Sequence, residues 1–160
     1  MIIWKMDADD RRQLFNIYLQ GVEEGNATFE TDVDERKWWR QMKEADVFVI
    51  EEQTVVVGWV KMMLVSARPV YQGVRELSLY VDRAERGKGY GRLLLQHMIH
   101  FAEEHGIWTL QSHIFPENKA SLTIQQQEGF RIVGRREKIA QHAGQWRDTL
   151  LLERRSRKMD

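Results

Sequence analysis

A glycine-rich segment, Arg86–Gly91, constrains the fold of this chain most, because it joins a strand pattern to a helix pattern. Before it, Leu77–Val81 alternates between apolar and polar side chains as a half-buried strand does. After it, apolar side chains recur on one helical face, at Leu94, Leu95, Met98, Ile99 and Ala102. The sequence therefore predicts a tight turn between a strand and an amphipathic helix.

The turn has the composition of an anion-binding loop. Every second residue from Gly87 to Gly91 is glycine, which permits a positive φ and leaves the backbone N–H groups accessible. The first turn of the following helix adds unpaired N–H groups and the positive end of the helix dipole. Arg86, Lys88 and Arg92 place positive charge around the same point. The segment predicts a site for a phosphate-bearing ligand.

The spacing of the glycines distinguishes this loop from other phosphate-binding loops. A P-loop needs Lys-Ser or Lys-Thr after its last glycine, whereas Gly91 is followed by Arg92 and Leu93. The dinucleotide fingerprint needs G-x-G-x-x-G, whereas this chain has G-x-G-x-G. The pattern Arg86-x-x-Gly89-x-Gly91 resembles the pyrophosphate loop of the GNAT superfamily, whose members are acetyl-CoA-dependent N-acetyltransferases.

The remaining patterns predict strands and helices in the order of that superfamily. Strands are predicted at residues 2–6, 47–51, 55–60 with an extension to 66, 76–81, 107–114, 130–133 and 146–153. Helices are predicted from residues 7–10 to 25, from 34, from the glycine-rich turn to 106, and at 118–128, with residues 134–145 as a connection. The resemblance implies an α/β (α+β) GNAT acyl-CoA N-acyltransferase fold, with a mixed, mostly antiparallel sheet of about seven strands and about four helices.

Length and composition predict one domain. The 160 residues suit a single core, and only two prolines and no linker-like segment interrupt the chain. We expect the domain to span residues 1–153, followed by a basic tail, residues 154–160, that is a solvated terminus.

Charge and cysteine content limit the partners. The 24 basic and 24 acidic residues give zero net charge, which does not favour a nucleic-acid partner. There is no cysteine, which excludes a disulfide scaffold, a thiolate nucleophile and a cysteine-ligated zinc site. No segment is apolar for long enough to span a bilayer, so a cytoplasmic location without membrane contact is expected. His97 and His100 lack a third metal ligand nearby, so no metal is expected.

A second motif, Asn118–Ser121, follows the glycine-rich loop at a separation of one helix and one strand. Considered alone, Asn118 is as consistent with a helix cap as with a ligand contact. In the superfamily that the chain resembles, this Asn and Ser face the cofactor. The resemblance implies that acetyl-CoA binds to Leu79, Tyr80, Val81, Arg86, Gly87, Lys88, Gly89, Tyr90, Gly91, Arg92, Asn118 and Ser121.

Three further segments resemble the phosphinothricin and methionine sulfoximine acetyltransferase branch. They are Asn26–Glu30, Arg68–Tyr71 leading to Glu76, and Gly144–Thr149. Members of this branch acetylate the α-amino group of small amino acids or analogues, and many are dimers, so a homodimer is expected. The resemblance places the acceptor at Phe29, Glu30, Arg68, Tyr71 and Glu76.

Acetyl transfer needs a neutral amine, so a nearby base is useful. Glu76 is the candidate base, with a surface glutamate at a strand end as the alternative. Arg68 and Tyr71 are candidates for holding an acceptor carboxylate, because arginine binds carboxylates through two hydrogen bonds; a solvated loop arginine is equally consistent with the sequence. A backbone N–H near Leu79–Val81 is the candidate donor to the thioester oxygen.

One position departs from the superfamily. Many relatives have Tyr or His four residues before Gly129, where this chain has Gln125, which can form hydrogen bonds but cannot act as an acid. Either the CoA thiolate leaves without help, or Tyr80 or His113 donates the proton. The residues favour direct attack by the amine in a ternary complex, with Glu76 and Tyr80 as catalytic groups. Alternatives are another acceptor (a polyamine, an aminoglycoside or a protein N-terminus) and a non-catalytic acyl-CoA sensor.

Overall fold

A seven-stranded sheet forms the centre of the molecule in the computed structural model, which describes residues 1–160. Its strands are β1 (Ile2–Lys5), β2 (Asp46–Glu52), β3 (Val55–Leu64), β4 (Val74–Val81), β5 (Thr109–Ile114), β6 (Arg131–His142) and β7 (Gln145–Arg155). Their order across the sheet is β1-β2-β3-β4-β5-β7-β6. Only β4 and β5 pair in parallel, so the predicted mixed, mostly antiparallel sheet is confirmed.

Four α-helices flank the sheet, as predicted: α1 (Arg11–Glu24), α2 (Glu35–Glu44), α3 (Tyr90–Glu104) and α4 (Lys119–Gln127). Their ends follow the capping signals of the sequence. The Asp34 side chain accepts hydrogen bonds from the first backbone N–H groups of α2, and Asn118 does the same for α4. Gly25 ends α1 with φ of 78°, in the left-handed region. No helix is long and apolar enough to cross a lipid bilayer, and the cytoplasmic location stays a prediction.

Apolar side chains fill both faces of the sheet. A cluster of 17 buried residues packs α3 against one face, and a cluster of 10 packs α1 and α2 against the other. Trp59 is fully buried in the second cluster, where its indole N–H donates to the Leu14 carbonyl at 3.1 Å. Because side chains alternate along a strand, Leu77 on β4 faces the α3 cluster and Tyr80 the other.

The sheet divides between its two parallel strands. Val74–Glu76 of β4 pairs with Thr109–Gln111 of β5, and the pairing stops there. Beyond that point Leu77–Val81 pairs only with β3, and Ser112–Ile114 pairs only with β7. We call the resulting gap the β4–β5 wedge. The backbone groups of β4 that face the wedge have no strand partner, and they are therefore available to a ligand.

The C-terminal hairpin differs from the prediction. Residues 134–145 were predicted to be a connection, but β7 begins at Gln145 and β6 runs to His142. The sequence does not reveal this strand because nearly all of its side chains are exposed, so no apolar alternation marks it. Two register shifts, after Ile132 and after Arg136, further interrupt the pattern.

The expected boundary after Glu153 falls inside β7. Ser156 is buried, and its hydroxyl donates to Glu103 of α3 at 3.2 Å. Arg154 also bonds to Glu103, at 3.1 Å. The prediction of a solvated terminus is therefore wrong for Arg154 and Ser156, because a largely buried carboxylate on α3 binds them.

Candidate active site

The glycine-rich loop leaves β4 and presents its backbone at the N-terminus of α3. Gly87 and Gly89 have φ of 79° and 88°, a conformation that side chains with a Cβ disfavour. A Cβ placed at either residue would meet no atom within 4 Å, so the space beside the loop is open. Gly91, in the first turn of α3, packs against Ile124 of α4. Open space beside bare N–H groups at a helix N-terminus fits a pyrophosphate.

A cleft of about 870 Å³ lies beside this loop. Its walls come from the end of α1 and the following residues, the end of β4, the glycine-rich loop, and α4 with the residues just before it. Of the residues that the sequence assigned to acetyl-CoA, all except Lys88 line the cleft. The cleft has the size of a small-molecule site and combines apolar walls with an anion-binding loop. The residues present therefore fit a CoA thioester.

The three cations of the loop are already paired with glutamates. The Arg86 guanidinium binds both oxygens of Glu24, at 2.7 and 2.9 Å. Lys88 contacts Glu85, and Arg92 contacts Glu128, each at 2.6 Å. Because these carboxylates offset the side-chain charge, the backbone N–H groups and the helix dipole are the groups that remain directed at an anion.

The β4–β5 wedge contains a smaller cavity of about 50 Å³. Leu77–Tyr80 forms one wall, Ser112–Phe115 forms the opposite wall, and α4 contributes Gln125. Asn118 and Ser121 line both this cavity and the large cleft, as Leu79 and Tyr80 do. The two cavities therefore adjoin, and a ligand arm that enters from the cleft reaches the free edge of β4.

Gln125 is fixed inside this wedge. Its side chain is 3% exposed, accepts a hydrogen bond from the Ser112 hydroxyl and donates to the Ser121 hydroxyl at 3.3 Å. Both groups of the amide are therefore paired, and the amide has no proton that it can release at neutral pH. The position that many relatives use for an acid has a structural hydrogen-bonding role in this chain.

Tyr80 lines both cavities. Its ring stacks on Trp59 with centroids 4.7 Å apart, and its hydroxyl lies 3.4 Å from the Ala27 carbonyl. Burial, and to a smaller extent the charge of Glu30, raise the pKa of Tyr80 well above its usual value. The hydroxyl is therefore protonated over the whole neutral range and is available as a donor.

Glu76 forms a pair with His113 across the last paired residues of β4 and β5. Its Oε1 lies 2.7 Å from the His113 Nδ1 and 3.2 Å from the Gln111 Nε2. The hydrogen bond with His113 lowers the pKa of Glu76, although partial burial opposes the shift. Glu76 is therefore ionised at neutral pH. Sequence reasoning named both residues but missed their contact; the signal was the parallel pairing, which places His113 two residues beyond the partner of Glu76.

The structure separates the predicted acceptor residues into two groups. Phe29 packs edge-to-face on Phe115, a wedge residue, with centroids 4.8 Å apart. Glu30 accepts a hydrogen bond from the Tyr18 hydroxyl at 2.6 Å. In contrast, Arg68 and Tyr71 are exposed on the β3–β4 connection, where the guanidinium lies 5.5 Å from the ring centroid, and neither lines the cleft or the wedge.

Lys61 of β3, which pairs with Ser78 of β4, is a charged residue beside the site that sequence reasoning missed. It is partly buried, and burial lowers the pKa of its ammonium. The negative charges of Glu30 and Glu76 oppose this shift. In the sequence it is a single polar residue after an apolar strand, which is typical of a solvent-facing position. Its neighbours come from distant segments, so no local signal identifies it.

Arg147 of β7 holds the segment after α1. Its Nη2 donates to the Asn26 side-chain oxygen at 2.8 Å and contacts Glu117 at 3.1 Å, and its Nη1 donates to the Gly25 carbonyl. The guanidinium also lies 3.8 Å from the ring centroid of Phe115. Arg147 therefore fixes the loop that leads to Phe29 and Glu30.

Comparison with known sequences gives consistent matches. The acetyltransferase (GNAT) family model matches residues 11–130. YwnH of Bacillus subtilis, provisionally named a phosphinothricin acetyltransferase, is 34% identical over 126 residues, covering 78% of this chain and 77% of that protein. The L-methionine sulfoximine/L-methionine sulfone acetyltransferase of Salmonella typhimurium is 30% identical over 125 residues, covering 76% of this chain and 73% of that protein.

Solved structures have the same fold. A ribosomal-protein-alanine N-acetyltransferase from Brucella melitensis superposes with a TM-score of 0.90 at 29% identity, covering 98% of this chain and 100% of that chain. The yncA protein from Salmonella typhimurium, solved with its cofactor acetyl-CoA, superposes with a TM-score of 0.88 at 27% identity, covering 97% and 93%. These proteins share the sheet and helix arrangement that forms the cleft and the wedge.

Proposed function

Because this chain belongs to the acetyltransferase (GNAT) family, and is an acetyl-CoA-dependent N-acetyltransferase, we propose that it acetylates the α-amino group of a small amino acid or analogue. The acceptor is of the phosphinothricin or methionine sulfoximine type. The observation that carries this proposal is the ionised Glu76, which is bonded to His113 beside the wedge that adjoins the cofactor cleft. The names of two relatives that match most of the chain support the acceptor class.

The glycine-rich loop and the N-terminus of α3 would hold the pyrophosphate of acetyl-CoA. Asn118, Ser121 and the free edge of Leu79–Val81 line the adjoining space and would hold its extended arm. Bound acetyl-CoA supplies an acetyl group activated as a thioester. A backbone N–H of Leu79–Val81 that faces the wedge would donate to the thioester oxygen as negative charge develops there.

Glu76 is the proposed base. An amino acid arrives mainly as an ammonium ion, which has no lone pair, so a proton must leave before the nitrogen can attack. The carboxylate is ionised at neutral pH, and its partial exposure lets it accept the proton directly or through water. His113, on the same carboxylate oxygen, holds that oxygen in place.

Tyr80 is the proposed donor to the leaving thiolate. Gln125 has no proton to give, and the His113 Nδ1 bonds to Glu76. Tyr80 lines both cavities, and its hydroxyl stays protonated. Because a thiol has a pKa of about 8.5, the thiolate is a fairly good leaving group and needs only this assistance. The chain has no cysteine to carry an acetyl group, which favours direct attack in a ternary complex.

The test is an acetyl-CoA-dependent thiol-release assay with a panel of acceptors. The panel contains phosphinothricin, L-methionine sulfoximine, L-methionine sulfone, spermidine, kanamycin and a peptide with an N-terminal alanine. We expect the highest kcat/KM with the three amino acids. Release without any acceptor gives the blank. A preference for spermidine, kanamycin or the peptide would contradict the proposed acceptor class, and no turnover across the panel would favour an acyl-CoA sensor.

We also propose that the chain forms a homodimer. The β6–β7 hairpin lies at one edge of the sheet and exposes the apolar side chains Ile132, Val133, Ile139 and Trp146. An edge strand with exposed apolar side chains favours association. Size-exclusion chromatography with light scattering measures the mass directly, and a mass of about 19 kDa for the eluting species would contradict this proposal.

A further inference from the structure

Lys61 occupies a position of β3 that faces the acceptor side of the sheet. It lies opposite Ser78 of β4, and the register pair two positions along joins Met63 to Glu76. Because alternate residues of a strand share a face, Lys61 and Trp59 face the same side as Glu76 and Tyr80. The ammonium is therefore on the side of the sheet where the proposed base lies.

The ammonium of Lys61 differs from the cations of the glycine-rich loop in having no partner. Arg86, Lys88 and Arg92 each contact a glutamate at 2.9 Å or less, whereas the Lys61 ammonium forms no ion pair and no hydrogen bond. Lys61 is also less exposed than these three cations. A partly buried charge without a partner costs free energy, and burial accordingly lowers the pKa of Lys61. An anion bound beside Lys61 would relieve that cost.

The charges around Lys61 match those of a free α-amino acid. Glu30 and Glu76 act on the Lys61 ammonium electrostatically, so two negative groups and one positive group share this region. An amino acid carries one positive amino group and one negative carboxylate. The amino group is attracted to Glu76, and Lys61 is the cation left for the carboxylate. A polyamine has no negative group to bind there and gains nothing from Lys61.

We propose that Lys61 binds the carboxylate of the acceptor and selects amino acids over simple amines. This inference rests on the proposed function and specifies how the same site recognises its substrate. The sequence had suggested Arg68 for this role, as one of two equal alternatives. Arg68, however, is exposed against Tyr71, whereas Lys61 is partly buried on the face of the sheet that carries Glu76.

The test compares L-methionine sulfone with its carboxamide, which keeps the α-amine and lacks the negative charge. Lys61→Met and Lys61→Gln are measured beside the wild type, with Arg68→Met as the variant for the rival residue. Removal of a charged hydrogen bond predicts a KM for L-methionine sulfone that is about 10- to 100-fold higher in the Lys61 variants. The KM for the carboxamide should change by less than about twofold in the same proteins. Thermal melting and acetyl-CoA binding of each variant report its fold.

The outcomes separate this inference from the proposed function. Equal losses for the acid and the carboxamide, or no loss in either Lys61 variant, would overturn the assignment of Lys61 while wild-type turnover of amino acids still supported the proposed function. A selective loss in Arg68→Met alone would transfer the role to Arg68. A wild-type enzyme that acetylates no amino acid would overturn both proposals. If Lys61→Met fails to fold, Lys61→Gln, which keeps a polar end, decides the question.

Discussion

Glu76 and His113 are joined by a 2.7 Å contact at the point where β4 and β5 stop pairing. The contact lies where the wedge begins and spans it, because Glu76 belongs to β4 and His113 belongs to β5. The proposed base is therefore held by the same strands whose separation would admit the proposed cofactor arm. The position of the Glu76 carboxylate therefore depends on how far β4 and β5 separate.

Replacement of Gly89 by Val should weaken acetyl-CoA binding by at least about tenfold, because the loop N–H groups depend on a φ of 88° that Val disfavours. Isothermal titration calorimetry measures the affinity. Gly106→Val is the matched control, since Gly106 has a similar φ of 74° beyond the far end of α3. Each substitution should cost about 1–3 kcal/mol of stability, but only Gly89→Val should lose affinity. Unchanged affinity would exclude the loop as the pyrophosphate site.

Replacement of Glu76 by Gln should lower kcat/KM by about 10²-fold or more, because the variant cannot accept the proton of the ammonium. The loss should be greatest at low pH, where the smallest fraction of the acceptor is neutral. A pH profile of kcat/KM with the preferred amino acid measures both effects. A variant that retains the wild-type profile would show that Glu76 is not the base.

Replacement of His113 by Phe should move the acid limb of the kcat/KM profile to higher pH. The hydrogen bond with His113 is the largest cause that lowers the pKa of Glu76, so its removal raises that pKa towards the ordinary value. As pH falls, the variant then protonates Glu76 earlier than the wild type does and loses activity earlier. Gln111→Leu removes the weaker bond, at 3.2 Å, and should move the limb less. A limb that stays in place, or moves to lower pH, would contradict the pairing.

Replacement of Tyr80 by Phe should lower kcat on the order of 10²-fold if the hydroxyl donates to the thiolate. The ring would still stack on Trp59, so acetyl-CoA affinity and thermal stability should stay close to wild type. Steady-state kinetics and calorimetry on the same preparation separate the two effects. Full activity in this variant would mean that the thiolate leaves without help from Tyr80.

Replacement of Gln125 by Leu should destabilise the fold by about 1–3 kcal/mol, because the buried Ser112 hydroxyl loses its acceptor. Chemical denaturation measures this loss. Gln126→Leu is the control, since Gln126 is exposed on the same helix and lies outside both cavities. The fall in kcat should be smaller than that of Tyr80→Phe, and a larger fall would give Gln125 a part in the chemistry.

The sequence predicts those parts of the structure that have local causes. Some helix ends are marked within the sequence itself, by the N-caps Asp34 and Asn118 and by Gly25 at the end of α1. The structure confirms these three ends. β6 has no such mark because its side chains are exposed, and its strand character comes from pairing with β7. Strand pairing between distant segments is a tertiary property, and a local pattern does not record it.

The same distinction applies to the site. The glycine-rich loop follows from the composition of a few adjacent residues, and it adopts the expected positive φ values. The pairing of Arg86 with Glu24, which offsets a charge that we expected to face the ligand, joins residues 62 positions apart. Glu30 and Glu76, whose charges oppose the lowering of the Lys61 pKa, likewise belong to two segments distant from Lys61 in the sequence. Charge around the loop was predictable from the sequence, but its partners were not.

The hydrogen bonds of Asn26 have a consequence for engineering the acceptor specificity of this chain. The Asn26 backbone carbonyl accepts a hydrogen bond from Asn118, which caps α4, and its side-chain oxygen accepts one from Arg147 on β7. The loop that carries Phe29 and Glu30 is thus one unit with two distant positions of the chain. If this loop is replaced by the loop of a relative, we expect the new loop to keep the conformation it has in that relative only when residues 118 and 147 are also replaced by the relative's residues.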